Sequence, residues 1–287
     1  MIRLLLLLLV AISASAAEKA APLDADPYQD LMIKGREAQR KGLMGKAVEA
    51  FDGAIKLNPK RYHAYFFRGE ALAAMRKPEE AIASFSKVIE LDAKASSAFR
   101  ERAEEEFKLG QIDQSVKDFN RYVELEPRQA PKIWQRGIAL YYAGKFAEGR
   151  KQFELHQTVN PHDVENGVWH FICAARETSF EKAREAMLPI TGDTRVPMRE
   201  VYELFGGKGT VEDVLKAAKR GNPSGPELDA RMFYAHLYLG LYFEAKGEKE
   251  KAYEHIKAAA TEFPQDDYMG DVAKVHFKRL LASGGGK

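Results

Sequence analysis

The sequence has very little cysteine and no excess of charge of either sign. Cys173 is the only cysteine among 287 residues, which excludes an internal disulfide and a zinc site built from thiolates alone. Lysine and arginine together number 44, against 42 aspartates and glutamates. This near balance argues against a nucleic-acid-binding protein. Hydrophobic residues make up 45% and charged residues 30%, as is typical of a soluble, ordered protein.

Long hydrophobic runs are scarce too, and the clearest one lies at the N-terminus. Leu4 to Ile12 form an apolar run that follows Arg3 and precedes the small residues Ala14-Ser15-Ala16. The run is far shorter than the roughly 20 residues that a membrane-spanning helix needs. It predicts a signal peptide over residues 1–16 and an exported protein. No cysteine lies near the cleavage site, so we expect no lipid anchor there and no stable membrane anchor.

Four columns of small or apolar residues recur along the chain with a spacing of 34. The columns are Phe51, Phe85, Phe119 and Phe153; Gly35, Gly69, Ala103 and Gly137; Ala47, Ala81, Ser115 and Gly149; and Pro59, Ala93, Pro127 and Pro161. A small residue on each helix of a pair allows close approach, and the proline ends the second helix. The phenylalanines are expected to fill the space between adjacent hairpins.

This column pattern resembles the tetratricopeptide repeat (TPR) family. The resemblance implies an all-α fold, a superhelical solenoid of stacked antiparallel helix pairs with a C-terminal capping helix. The predicted organisation is a signal peptide at 1–16, a linker at 17–27, four repeats at 28–163, a degenerate fifth repeat with irregular helices at 164–232, a last repeat at 233–266, a capping helix at 267–283 and a disordered tail at 284–287.

The first helices of stacked pairs line a concave groove, and TPR proteins usually bind an extended peptide or a partner helix there. The residues predicted to face this groove combine aromatic rings with cations, the residue types enriched at binding hot spots. They are Arg36, Phe66, Arg100, Trp134, Tyr141, Tyr142 and Arg176. An alternative for Phe66 and Trp134 is that they belong to the core. Tyr141 and Tyr142 are adjacent, so at least one must be exposed or covered by another element.

Other candidate sites are weaker. His162, Glu165 and His170, near Trp169, could suggest a metal, glycan or small-molecule receptor, but Glu165 and His170 diverge around a helix. Cys173 lies one helical turn after His170, yet its apolar neighbours indicate core packing rather than a nucleophile. The glycines before Thr210 lack the spacing of a phosphate-binding loop. We therefore expect no catalytic, cofactor-binding or metal-binding residues.

One stretch is similar to a narrower group, the NlpI family of bacterial envelope TPR lipoproteins. Residues 136–144 carry the closest similarity, which continues loosely over 60–266, including Asn160-Pro161 and the irregular segment after 189. The resemblance implies a non-enzymatic periplasmic adaptor that forms a homodimer and binds a protein such as a peptidoglycan hydrolase or a protease. This chain lacks the lipidated cysteine of that family. The signal peptide by itself fits the periplasm and the external medium equally well.

Overall fold

The computed structural model describes residues 26–284, which form α-helices in antiparallel pairs with no β-strand in that range. The predicted signal peptide, almost all of the predicted linker, and tail residues 285–287 lie outside the described residues. Hairpins 1 to 4 are α1 Pro27–Arg40 with α2 Met44–Leu57, α3 Tyr62–Ala74 with α4 Pro78–Leu91, α5 Ser96–Lys108 with α6 Ile112–Leu125, and α7 Trp134–Tyr142 with α8 Phe146–Gln157. A 3₁₀ turn, Pro127–Lys132, separates α6 from α7.

The C-terminal half is less regular. Its helices are α9 Val164–Glu177, α10 Phe180–Glu185, α11 Met198–Phe205, α12 Val211–Ala218, α13 Pro226–Ala245, α14 Lys249–Lys257 and α15 Tyr268–Ala282, with a π-helical turn at Ala258–Glu262. The predicted cap Asp163 accepts the Glu165 amide at 3.0 Å, and Thr210 caps α12. α13 crosses the predicted boundary between 232 and 233, because Pro226 is already suited to the first turn of a helix.

The phenylalanine and glycine columns meet inside each hairpin. A Cβ added to Gly69 would lie 2.5 Å from a ring carbon of Phe85, and Gly35 and Gly137 are equally close to the phenylalanines of their own hairpins. All four phenylalanines of the column are buried. Phe51 also stacks on Phe67 of the next hairpin, with ring centroids 5.8 Å apart. The column therefore sets the approach of the two helices within a pair as well as the stacking between pairs.

A second 34-residue column, absent from the sequence prediction, consists of arginines that bridge the hairpins. Arg68 donates to Asp52 of hairpin 1 at 2.8 Å and to Ser84 of its own hairpin at 3.2 Å. Arg102 repeats this with Ser86 and Asp118, and Arg136 with Asn120 and Gln152. Each guanidinium reaches 16 residues back and 16 forward. These paired, charge-assisted hydrogen bonds fix the register in which consecutive hairpins stack.

The last helix does not simply cover the end of the last repeat. The expected face of α15 is buried at Val272 and Val275, but Leu281 is 50% exposed. Other α15 side chains reach hairpins 2 to 4: Asp271 pairs with Arg76, Tyr268 stacks on Phe107, and His276 hydrogen bonds to Tyr142. α15 therefore lies against the first helices of the early repeats, in the groove. No helix between residues 26 and 284 combines the length and apolar character that a membrane span requires.

Candidate functional site

The C-terminal half of the concave groove is filled by α15. Tyr268 stacks on Phe107 with centroids 5.5 Å apart and meets Trp134 edge-on at 5.2 Å. Further along the helix, Arg279 donates to the backbone carbonyl of Tyr142 at 2.6 Å. The chain's own C-terminal helix thus takes the place in which a partner segment was expected.

Tyr141 and Tyr142 are accordingly not on an open surface. Both are buried, and their hydroxyls bond to elements from the far end of the chain. Tyr141 donates to Glu244 of α13 at 3.2 Å, and the Tyr142 hydroxyl lies 2.8 Å from His276 Nδ1. Burial raises the pKa of both tyrosines well above its usual value. Covering by another element accounts for two adjacent aromatic residues that cannot both face one core.

The other predicted groove residues divide between packing and partial exposure. Trp134 is half-buried against Tyr268. Phe66 is half-buried and meets Phe85 edge-on at 5.8 Å, which is the core alternative. Arg100 is paired with Glu101 and Glu104, and the exposed Arg176 lies over the Phe146 ring and 3.7 Å from Glu244.

Glu244 connects these C-terminal contacts. Burial by itself would raise the pKa of its carboxyl, but His276, Arg176 and the Tyr141 hydroxyl together hold it below its usual value. Glu244 is therefore ionised in the folded protein, and the cation Arg176 is paired rather than free for a partner.

Only the N-terminal end of the groove is open and basic. This surface, called here the N-terminal groove, is a depression of about 590 Å³ between α1 and α3. Its lining includes Tyr28, Arg36, Lys60, Arg61, Tyr62 and Phe67. Arg36 lies over the Phe67 ring at 4.9 Å and Arg61 over the Tyr28 ring at 4.7 Å. No acidic side chain lines the depression among the described residues. Of the predicted groove residues, Arg36 is the one that this surface contains.

A second concave site, called here the Trp169 cavity, was only partly foreseen. It has a volume of about 300 Å³ and lies where hairpins 4 and 5 meet α13 and the start of α15. Its lining includes Trp134, Asp163, Glu165, Trp169, Tyr234 and Asp267. Trp169 and Glu165 belong to the cluster singled out in the sequence. Asp267 and Tyr234 carry no sequence signal, because the fold brings them from distant segments.

The two histidines of that sequence cluster do not line the cavity. His170 is buried with its Nε2 3.4 Å from Glu154, and burial lowers the pKa of its ring. His162 lies instead beside Thr191. Within residues 26–284 no three histidine, cysteine, aspartate or glutamate side chains are grouped as a metal site requires. The metal alternative has no candidate site in this part of the chain.

Cys173 is fully buried on α9, where its Sγ would lie 3.0 Å from a Cβ added to Gly149. Burial raises the pKa of its thiol far above the usual value, with a smaller contribution from Glu177. A nucleophilic cysteine needs the opposite, a lowered pKa and access to substrate. The environment of Cys173 is that of a core residue.

With this geometry established, comparison with known proteins identifies the architecture. Residues 34–98 match the model of the tetratricopeptide repeat family. The chain is a TPR solenoid. No curated protein sequence gives a significant match.

Several solved structures share the TPR fold. A tetratricopeptide repeat protein from Parabacteroides merdae is 18% identical, with a TM-score of 0.58 over 89% of this chain and 99% of that one. A MamA structure is 16% identical, with a TM-score of 0.53 over 70% of this chain and 98% of that one. MamA from Desulfovibrio magneticus is also 16% identical, with a TM-score of 0.52 over 56% and 90% of the two chains. At these identities the likeness concerns the fold alone.

Proposed function

We propose that the protein is a non-enzymatic scaffold that holds an extended acidic segment of a partner protein in the N-terminal groove. One observation carries the proposal: three cations and three aromatic rings face this open surface with no acidic side chain among them. Arginine and aromatic residues supply much of the binding energy at protein interfaces. Cations that face a partner also favour acidic groups and speed the encounter.

Two of the three cations are held in place before binding. Arg36 and Arg61 each lie over an aromatic ring within 5 Å of its centroid. This cation–π contact leaves the polar edge of the guanidinium free for a carboxylate, as planar stacking on a ring does generally. A preformed surface loses less conformational entropy on binding than flexible side chains do.

The other end of the groove supports the same chemistry, because there the protein binds a segment of itself. α15 presents an acidic residue, Asp271, to Arg76 and an aromatic residue, Tyr268, to Phe107. A partner segment that carries acidic and aromatic residues would make the corresponding contacts with Arg36, Arg61 and the rings of the N-terminal groove.

A labelled peptide of alternating glutamate and tyrosine tests this directly by fluorescence anisotropy. We expect Arg36→Glu and Arg61→Glu each to weaken binding by about tenfold or more. The matched control is Arg121→Glu on α6, where Arg121 is exposed and pairs only with Glu124. Unchanged binding in both groove variants, or an equal loss in the control, would exclude the N-terminal groove.

We further propose, from the similarity to NlpI-like lipoproteins, that the protein is exported and works in the bacterial periplasm as a homodimer. Its partner would be a peptidoglycan hydrolase or a protease. Affinity capture from a native envelope extract, comparing wild type with Arg36→Glu, identifies the partner, and sedimentation velocity measures the oligomeric state. Fractionation of the source cells tests the location, and recovery from the medium would indicate secretion instead.

The second candidate function is a receptor for a small molecule or glycan. The Trp169 cavity favours it, since a concave site with aromatic walls and a few polar groups is typical of ligand binding. This function does not depend on the N-terminal groove, so the two proposals can succeed or fail separately.

A further inference from the structure

The Trp169 cavity contains buried polar atoms without a partner in the protein. Trp169 and Asn166 both line it and are only 2% and 3% exposed. The indole Nε1 of Trp169 and the side-chain oxygen of Asn166 make no hydrogen bond, and neither does the hydroxyl of Tyr268, which also lines the cavity. Buried polar groups are almost always satisfied in folded proteins. A donor and acceptors left open around one cavity therefore point to a ligand that carries both kinds of group.

The charges around the cavity are predominantly negative. Asp163, Glu165 and Asp267 line it, against a single lining arginine, Arg195. Arg195 is already committed: it donates to Asp163 at 2.6 Å and to Glu165 at 2.5 Å, and it also bonds to Asp193 outside the cavity. One guanidinium thus faces three nearby carboxylates before Asp267 is counted. The cavity retains negative charge that its own side chains do not neutralise.

Asp267 is the carboxylate best placed for a ligand. It is exposed at the start of α15, and its Oδ1 accepts the Gly270 amide at 2.8 Å, which leaves Oδ2 for another donor. Four aromatic side chains complete the walls: Trp134, Trp169, Tyr234 and Tyr268. Aromatic faces combined with carboxylates are the usual surroundings of a bound ammonium group.

We infer that the Trp169 cavity binds a small primary ammonium ligand that also carries a hydroxyl or carbonyl oxygen. The ammonium donates to Asn166 and Asp267 and lies against the aromatic rings. The oxygen accepts from Trp169 Nε1. This assignment names the ligand class for the receptor function and rests on that second proposal, but it is independent of the N-terminal groove.

The two tryptophans of the chain, Trp134 and Trp169, both line the cavity, so intrinsic tryptophan fluorescence reports on this site alone. The probes are matched pairs in which an ammonium replaces a hydroxyl: glucosamine against glucose, and aminopentanol against pentanediol. Titration of the purified protein to about 10 mM detects even weak binding, and calorimetry on the same pairs detects binding that leaves fluorescence unchanged. We expect saturable binding of ammonium members only.

A pair of neighbouring substitutions locates the binding. Asp267→Asn removes the cavity carboxylate while keeping a side chain that can cap α15, and it should weaken ammonium binding by about fivefold. Asp266→Asn is the control, because Asp266 is almost fully exposed and does not line the cavity. Equal effects of the two substitutions would overturn the assignment to this cavity.

The remaining outcomes separate the ligand class from the receptor function. If glucose and pentanediol bind as tightly as their ammonium counterparts, the cavity is a neutral polyol site, and the ammonium assignment fails while the receptor function stands. If no probe binds by either measurement, both fail. Neither result affects the peptide-binding test at the N-terminal groove.

Discussion

The ion pair that fixes α15 in the groove can be broken at one residue. Arg76 donates to the two carboxylate oxygens of Asp271 at 3.0 and 2.5 Å. Asp271 is 6% exposed at its side chain and Arg76 is 41% exposed. Arg76 has a φ of 60°, a conformation that asparagine tolerates better than most residues. Arg76→Asn therefore removes the charge with little added backbone strain.

The magnitude follows from what Asp271 then faces. Its nearest charged neighbour becomes Glu105, whose own pKa is raised by burial and, to a smaller degree, by Asp271. Removing one partner of a buried pair costs about 3–5 kcal/mol. Because solvent already screens Arg76, we expect a loss of about 2–3 kcal/mol in the free energy that holds α15 closed. Hydrogen exchange of the α15 amides should then be roughly 30-fold to 150-fold faster.

Hydrogen exchange followed by mass spectrometry measures this for each helix. Arg121→Asn, on exposed α6, should leave α15 exchange unchanged. Adding Asp271→Asn to Arg76→Asn removes the unpaired carboxylate and should restore most of the lost protection. Exchange within about twofold of wild type in the single variant, or no recovery in the double variant, would refute the reasoning.

Three further predictions concern stability and reactivity. Gly69→Ala should lower the free energy of unfolding by about 1–3 kcal/mol, because the new Cβ would lie 2.5 Å from the buried Phe85 ring. Gly45→Ala, with nothing within 4 Å, should raise it by up to about 1 kcal/mol; urea unfolding that shows equal effects would contradict this. Burial, followed by His236, lowers the pKa of His255 from 6.5 to about 4. The unfolded chain then binds the proton more readily, so stability should fall by about 1–2 kcal/mol between pH 6.5 and 4. His255→Gln should flatten that decline in pH-dependent urea unfolding, and an unaltered pH profile would exclude His255 as its source. Cys173 should react with a thiol reagent only on unfolding, and rapid labelling of the native protein would restore the nucleophile hypothesis.

Local patterns in the sequence determined the helices and their pairing. The 34-residue columns indicated hairpins 1 to 4, and capping residues marked the starts of α9 and α12, because these features depend on residues a few turns apart. The burial of Cys173 was also predictable from its apolar neighbours. The arginine ladder at Arg68, Arg102 and Arg136 had the same spacing in the sequence. Its pairing 16 residues away in both directions became evident only from the stacked helices.

What the tertiary structure alone decided is which surfaces remain open. The groove prediction identified aromatic and cationic residues on the first helices, but Tyr141 and Tyr142 are buried and Arg36 is exposed because α15 occupies one end of the groove and not the other. Contacts such as Arg76 with Asp271 join residues 195 positions apart. No local period encodes them, since they depend on how the rotations between successive hairpins add up along the solenoid. The repeat pattern thus determined the solenoid, and the position of its last helix determined where a ligand can bind.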